Sequence, residues 1–261
     1  MIRLHTPFSC GSSTLAGTLD SAPATTGLLI VSGGNEIRSG AFSGQSLLAA
    51  RIAKAGFPVF RFDRRGVGDS EGENRGFRKS RNDIIAARDA FRAISPGVER
   101  IVAFGNCDAA SALMLAGGAG CDGLVLSNPW TIEGEDDGNA ATPPPGAIRS
   151  RYLEKLRNPR EIGRLLTGGV NLRKLAGGLA RAIRPAPPPS SLAEDMRAGL
   201  RDYDGNVRIL LATADRTAQV FEAAWDKDDP RIHRCEGAGH SYVEPAHHDW
   251  LERQILAALR S

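Results

Sequence analysis

The sequence predicts an α/β fold: a mostly parallel, twisted sheet of about eight strands with helices on both faces. Three observations predict it. Short apolar runs alternate with stretches of helical spacing, as strand–helix–strand units require. Several apolar runs end in glycines or polar residues, where a sheet of this kind turns into its next helix. The chain has 261 residues, 41% of them hydrophobic, enough for one sizeable core.

The elements follow in order. RLHTPFS and LAGTLD, joined at CGSS, read as a hairpin, and TGLLIVSGG as a strand ending in glycines. SGQSLLAARIAKAG has helical spacing, with Leu47, Leu48, Ile52 and Ala53 along one face and Gly56 as a stop. FPVFRFD is a strand and SRNDIIAARDAFRAI an amphipathic helix. RIVAFG, CDAASALMLAGG and DGLVLSNP continue as strand, helix, strand. The pattern pauses at Pro129. It resumes with VRILLATAD, a helix from about Thr217, the strand RIHRCEG and the closing helix PAHHDWLERQILAALR.

Residues 131–205 have a different character. Glu133, Glu135, Asp136 and Asp137 form an acidic patch, and TPPPG and RPAPPPSS are proline clusters. Between the clusters, Asn158 and Asn171 suit N-caps, with Pro159 at a first helical position. Leu172, Leu175, Leu179 and Ile183 make a stripe that needs a surface to bury against. The expected organisation is a core of residues 1–130 and 206–261, interrupted by a helical cap at 131–205. From Arg149 to Arg184 there are ten Lys/Arg against two acidic residues, Glu154 and Glu161. That run reads as a solvated face, or as a surface for an anionic partner such as a carrier-bound substrate.

Several classes are excluded. The net charge of +3 gives no reason to expect nucleic acid. No apolar run reaches the roughly 18 residues of a membrane helix, and MIRLHTPFSCG lacks the apolar stretch of a signal peptide. A cytoplasmic location is the expectation. Cys10, Cys107, Cys121 and Cys235 form no CxxC pair, so neither a disulfide framework nor a metal site is expected. No cofactor is expected.

The chemistry centres on IVAFGNCDAASA. A nucleophile on a tight strand-to-helix turn needs small neighbours, and Gly105 and Ala109 lie two residues either side of Cys107. The helix N-terminus would favour a thiolate. A buried core thiol is the competing reading of this stretch alone. Two downstream residues favour the nucleophile. Asp215 follows the strand VRILLATA, and His240, in CEGAGHSY, follows the last strand. Both fall at strand ends, where sheet-based sites lie. In LLIVSGGNE, the backbone of Gly34 or Asn35 is a candidate oxyanion donor, with the Asp108 N–H as the second. FDRRGVGDSEG reads as a buttress for that glycine loop. Trp130 stands at the entrance to the cap, either lining an acyl pocket or as plain packing.

SGGNE, DRRGVGDSEG, GNCDAA, ATAD and GAGHSY stand in the order and at the spacing of the α/β-hydrolase superfamily, which the chain resembles over nearly its whole length. More narrowly, GFPVFRFDRRGVGDSEG, FGNCDAASA and LVLSNPW resemble the hydrolase 1 family associated with exosortase A systems. The resemblance implies an α/β-hydrolase fold and a setting near exopolysaccharide production or surface-protein sorting. Most members of the superfamily have Ser where this chain has Cys107, and Gly where it has Ala109; dienelactone hydrolases are similar in using cysteine. The expected activity is hydrolysis of an ester or thioester by Cys107, His240 and Asp215 through a thioester intermediate. An acyltransferase using the same residues and a binding protein on an idle hydrolase fold are the alternatives. Asp108 as nucleophile is the remaining option, although it lies one residue past the apex of the turn.

Overall fold

The computed structural model describes residues 2–132 and 191–261. Eight strands form one sheet: β1 Arg3–Cys10, β2 Ser13–Asp20, β3 Thr26–Val31, β4 Val59–Phe62, β5 Arg100–Asn106, β6 Gly123–Ser127, β7 Asn206–Ala212 and β8 Ile232–Cys235. Their spatial order is β1-β2-β4-β3-β5-β6-β7-β8. The β1–β2 and β2–β4 pairs are antiparallel. From β4 onward every pairing is parallel.

The parallel strands read as continuous apolar runs because helices cover both faces. Alternate residues of β3 serve the two layers. Leu29 and Val31 face a core completed by α2 (Arg81–Ile94), α3 (Asp108–Leu115), α4 (Ser191–Leu200) and α5 (Arg216–Ala224). Leu28 and Ile30 face a second core under α1 (Gly44–Lys54) and α6 (Pro245–Arg260). Each fully buried Leu, Ile or Phe contributes about 1.5–3 kcal/mol, so the two layers hold the sheet between them.

The buried face of α1 consists of Leu48, Ala49, Ile52 and Ala53. Leu47, expected on that face, is 60% exposed. The helix is rolled so that Ala49 meets the sheet, and the spacing alone does not fix that roll. Most of the expected cap, residues 133–190, lies outside the described residues, as do the basic run and the leucine stripe. Of the interval 131–205, α4 is described. It buries Leu192, Ala193, Met196 and Leu200, and Arg197 lies 4.8 Å over the ring of Trp225 at the end of α5. Among the described residues no helix is long and apolar enough to cross a membrane.

Candidate active site

Strand β5 ends in Gly105 and Asn106, and α3 begins at Asp108. Cys107 alone makes the turn, with φ 62° and ψ −130°. A non-glycine residue in that region is strained and persists only where its surroundings impose it. They do so here. The Cys107 N–H donates to Ser127 O on β6 at 2.9 Å, and its carbonyl accepts from Ala110 N at 3.1 Å. A Cβ on Gly105 would sit 2.7 Å from the Ala109 carbonyl carbon, so the close return of the helix over the strand requires glycine.

The turn leaves Cys107 part-exposed, whereas Cys10, Cys121 and Cys235 are buried. Burial pushes all three buried thiols up, Cys121 to about 12. They are inert by location.

Asp215 and His240 meet at the carboxyl edge of the sheet. Asp215 ends the turn after β7 and N-caps α5, its Oδ2 accepting from Ala218 N at 3.1 Å. The same oxygen is 2.9 Å from His240 Nδ1. Asp215 is buried, while the His240 side chain is 36% exposed. Cys107 lies within hydrogen-bonding reach of the same imidazole. The hydrogen bond to Asp215, then that to Cys107, raises His240 from 6.5 to about 10 against the opposing effect of burial. A thiol, an imidazole and a carboxylate thus lie together, the imidazole hydrogen-bonded to the carboxylate.

The loop that carries His240 is tied down by residues the sequence did not single out. Asn128, fully buried and at φ 43°, donates to His240 O at 3.2 Å and to Asn106 Oδ1 at 3.1 Å. Its own Oδ1 accepts from Ala212 N at 2.8 Å. Asn106 donates to His240 O at 3.3 Å. Tyr242 pairs its hydroxyl with Ser127 Oγ at 3.1 Å. These side chains join the ends of β5, β6 and β7 to the histidine loop. The one visible signal was the pair of asparagines in GNC and SNP, each directly after an apolar run.

The glycine loop does not sit as the sequence alone suggests. The Gly34 N–H, expected as an oxyanion donor, is taken by Asp108 Oδ1 at 2.5 Å. The carboxylate reaches it because Gly33 has no side chain; a Cβ there would lie 2.8 Å from Asp108 Oδ1. The N–H groups of Asn35 and Asp108 have no partner among the described residues. The DRRGVGDSEG loop does buttress this region. Asp63, fully buried, accepts from Arg38 N and from Asp69 N, and also pairs with the Arg38 guanidinium. Asn74 Nδ2 donates to Asn35 Oδ1 at 2.8 Å. Trp130 packs partly buried against the core, its N–H donating to Cys107 O at 3.3 Å and its ring N–H to Ile132 O at 2.9 Å. Of the site residues expected from sequence, Cys107, His240 and Asp215 converge directly, with Asp108 beside them and Trp130 on the backbone of Cys107.

Among the described residues, one group has metal-ligating types close together: His248, Asp249 and Glu252 on α6. Arg51 already occupies it, with contacts of 3.2 Å to His248 and 2.6 Å to Asp249.

Polar groups gathered at the carboxyl edge of a parallel sheet mark the class of α/β enzymes. Within that class, residues 28–254 match the model of the alpha/beta hydrolase family, and the chain belongs to that family. No curated protein matches it in sequence. Among solved structures, it is similar to the alpha/beta hydrolase GrgF from Penicillium, with TM-score 0.65 and 18% identity over 100% of this chain and 98% of that one. An esterase from Pyrococcus furiosus aligns with TM-score 0.63 and 13% identity over 99% and 90% of the two chains. An alpha/beta serine hydrolase without a lid from Xanthomonas campestris gives 0.60 and 13% over 99% and 94%. At these identities the likeness is one of fold.

Proposed function

We propose that the chain is an acyl hydrolase in which Cys107 is the nucleophile, His240 the proton carrier and Asp215 the group that orients and charges the imidazole. One observation carries the reading: a strained cysteine at a strand–helix turn, with a histidine in reach that is itself bonded to a buried aspartate. A core thiol needs neither the strain nor the histidine.

Cys107 and His240 share one proton, and the sulfur is ready to attack when the imidazole holds it. The sulfur attacks the carbonyl carbon of an ester or thioester. The oxyanion that forms is met by the Asp108 N–H and a donor of the glycine loop. As the intermediate collapses, the carbon–oxygen or carbon–sulfur bond breaks and His240 gives its proton to the leaving group. The acyl group is then a thioester on Cys107. Neutral His240 takes a proton from water as the water oxygen attacks that thioester; the carbon–sulfur bond to Cys107 then breaks, the carboxylic acid leaves, and the proton on His240 is again shared with the freed sulfur. The motif resemblance supports a place beside exopolysaccharide production or surface-protein sorting, and an esterase with the same fold supports acyl chemistry.

Cys107→Ala, assayed on short acyl esters and thioesters, should lose turnover. Unchanged turnover would overturn the assignment. Products formed with and without sugar or amine acceptors separate hydrolysis from acyl transfer.

A further inference from the structure

We infer that Arg64 and Asp108 are positioning residues that hold the two peptide groups flanking Gly34 and so set the oxyanion hole; this rests on the acyl-hydrolase reading of the site. Asp108 Oδ1 accepts from Gly34 N at 2.5 Å. Arg64 Nη2 donates to Gly34 O and is 3.3 Å from Asp108 Oδ2. Arg64 is 5% exposed, and its other Nη donates to Ser80 Oγ at 3.3 Å. Asp108 is its one acidic partner among the described residues, and the pair closes a ring with the N–H and the carbonyl of Gly34.

The geometry has two consequences. Gly34 is at φ 56°, and a loop of consecutive glycines has many conformations to choose from. Bonded at both its N–H and its carbonyl, Gly34 is held at a fixed distance from the elbow, because Asp108 is also the first residue of α3. The second consequence concerns the donors. With the Gly34 N–H consumed, the Asp108 N–H and the Asn35 N–H are the groups left to receive an oxyanion. The charge of Asp108, which would otherwise oppose that oxyanion, is neutralised by the buried guanidinium.

The experiment compares wild type, Asp108→Ala, Asp108→Asn and the double variant Arg64→Met/Asp108→Ala. The double variant removes both charges, so it stays informative if Asp108→Ala alone fails to fold around an unpaired Arg64. Three quantities are read: the Gly34 amide exchange rate, kcat and KM on a thioester, and the rate of Cys107 alkylation by iodoacetamide. Asp108→Ala and the double variant should exchange the Gly34 amide at least about tenfold faster. Their kcat should fall about tenfold or more, with KM changed by less than about threefold. Alkylation of Cys107 should hold steady, since the thiol and His240 are untouched. Asp108→Asn, whose amide oxygen still accepts from Gly34, should recover most of kcat. Wild-type exchange and kcat in the Ala variants would overturn the inference. A rise in kcat would overturn it too, because the carboxylate would then be competing with the oxyanion. If wild type and Cys107→Ala turn over equally, the acyl-hydrolase reading fails, and the Gly34 exchange rates alone decide the clamp.

Discussion

Cys107 occupies a conformation that costs a non-glycine residue about 1–3 kcal/mol. Cys107→Gly should therefore fold more stably than Cys107→Ala by roughly 1 kcal/mol, although neither has a thiol. Urea denaturation of the two variants measures the difference; equal stabilities would mean that the turn is not strained. The pair of Asp215 and His240 makes a second residue-scale prediction. The imidazole rises from 6.5 to about 10 in the folded chain. The stabilisation it brings is full below pH 6.5 and is lost as pH rises through about 10. Asp215→Asn keeps the cap on α5 but not the charge. Its melting temperature should lie below wild type at acidic and neutral pH, with the gap closing above about pH 11. The same variant should lose roughly 10³–10⁴-fold in kcat, because Asn favours the wrong imidazole tautomer. A gap independent of pH would show that His240 is not raised by its partner.

At the scale of elements, the turns that hold the candidate site were the most legible part of the sequence. Gly105 and Ala109 announce the turn at Cys107 because close backbone approach leaves no room for larger residues. Asp215 and His240 were legible because each lies a few residues past the end of a strand. Asn128 was not. Its bonds to His240 span 112 residues, and no local pattern records such a partner. The same holds for Asp108, whose carboxylate meets Gly34 across 74 residues of sequence. Leu47 is the converse case, where local spacing permitted two rolls of α1 and packing selected one. Asn128→Ala strands the Ala212 N–H, at about 1–3 kcal/mol, and leaves His240 O with Asn106 as its remaining donor. It should slow turnover while Asp215 remains in place. Iodoacetamide should label Cys107 more slowly in this variant, since His240 is held less firmly; wild-type labelling would show that the histidine loop holds itself.

Across the whole molecule, the antiparallel edge and the site are joined by one chain of buried charge. Asp20 on β2 is fully buried and pairs with Arg3 at 2.6 Å and with Arg61 of β4 at 3.3 Å. Arg61 is 3% exposed, and burial pushes its guanidinium down despite Asp20. Its other Nη donates to Arg38 O at 2.7 Å, and Arg38 in turn holds Asp63 beneath the glycine loop. The first hairpin thereby supports the glycine loop from a distance. A buried pair of this kind adds little over a well-packed apolar substitute, but removing one partner strands the other charge. Asp20→Ala should therefore destabilise the fold by about 3–5 kcal/mol in urea denaturation. Asp20→Ala combined with Arg61→Met should recover a large part of that loss, since no charge is then left buried alone. The single variant should also loosen the loop at Arg38, seen as faster amide exchange from residues 33–38 under native conditions. If the single variant is as stable as wild type, or if only the hairpin exchanges faster, the edge and the site are energetically separate.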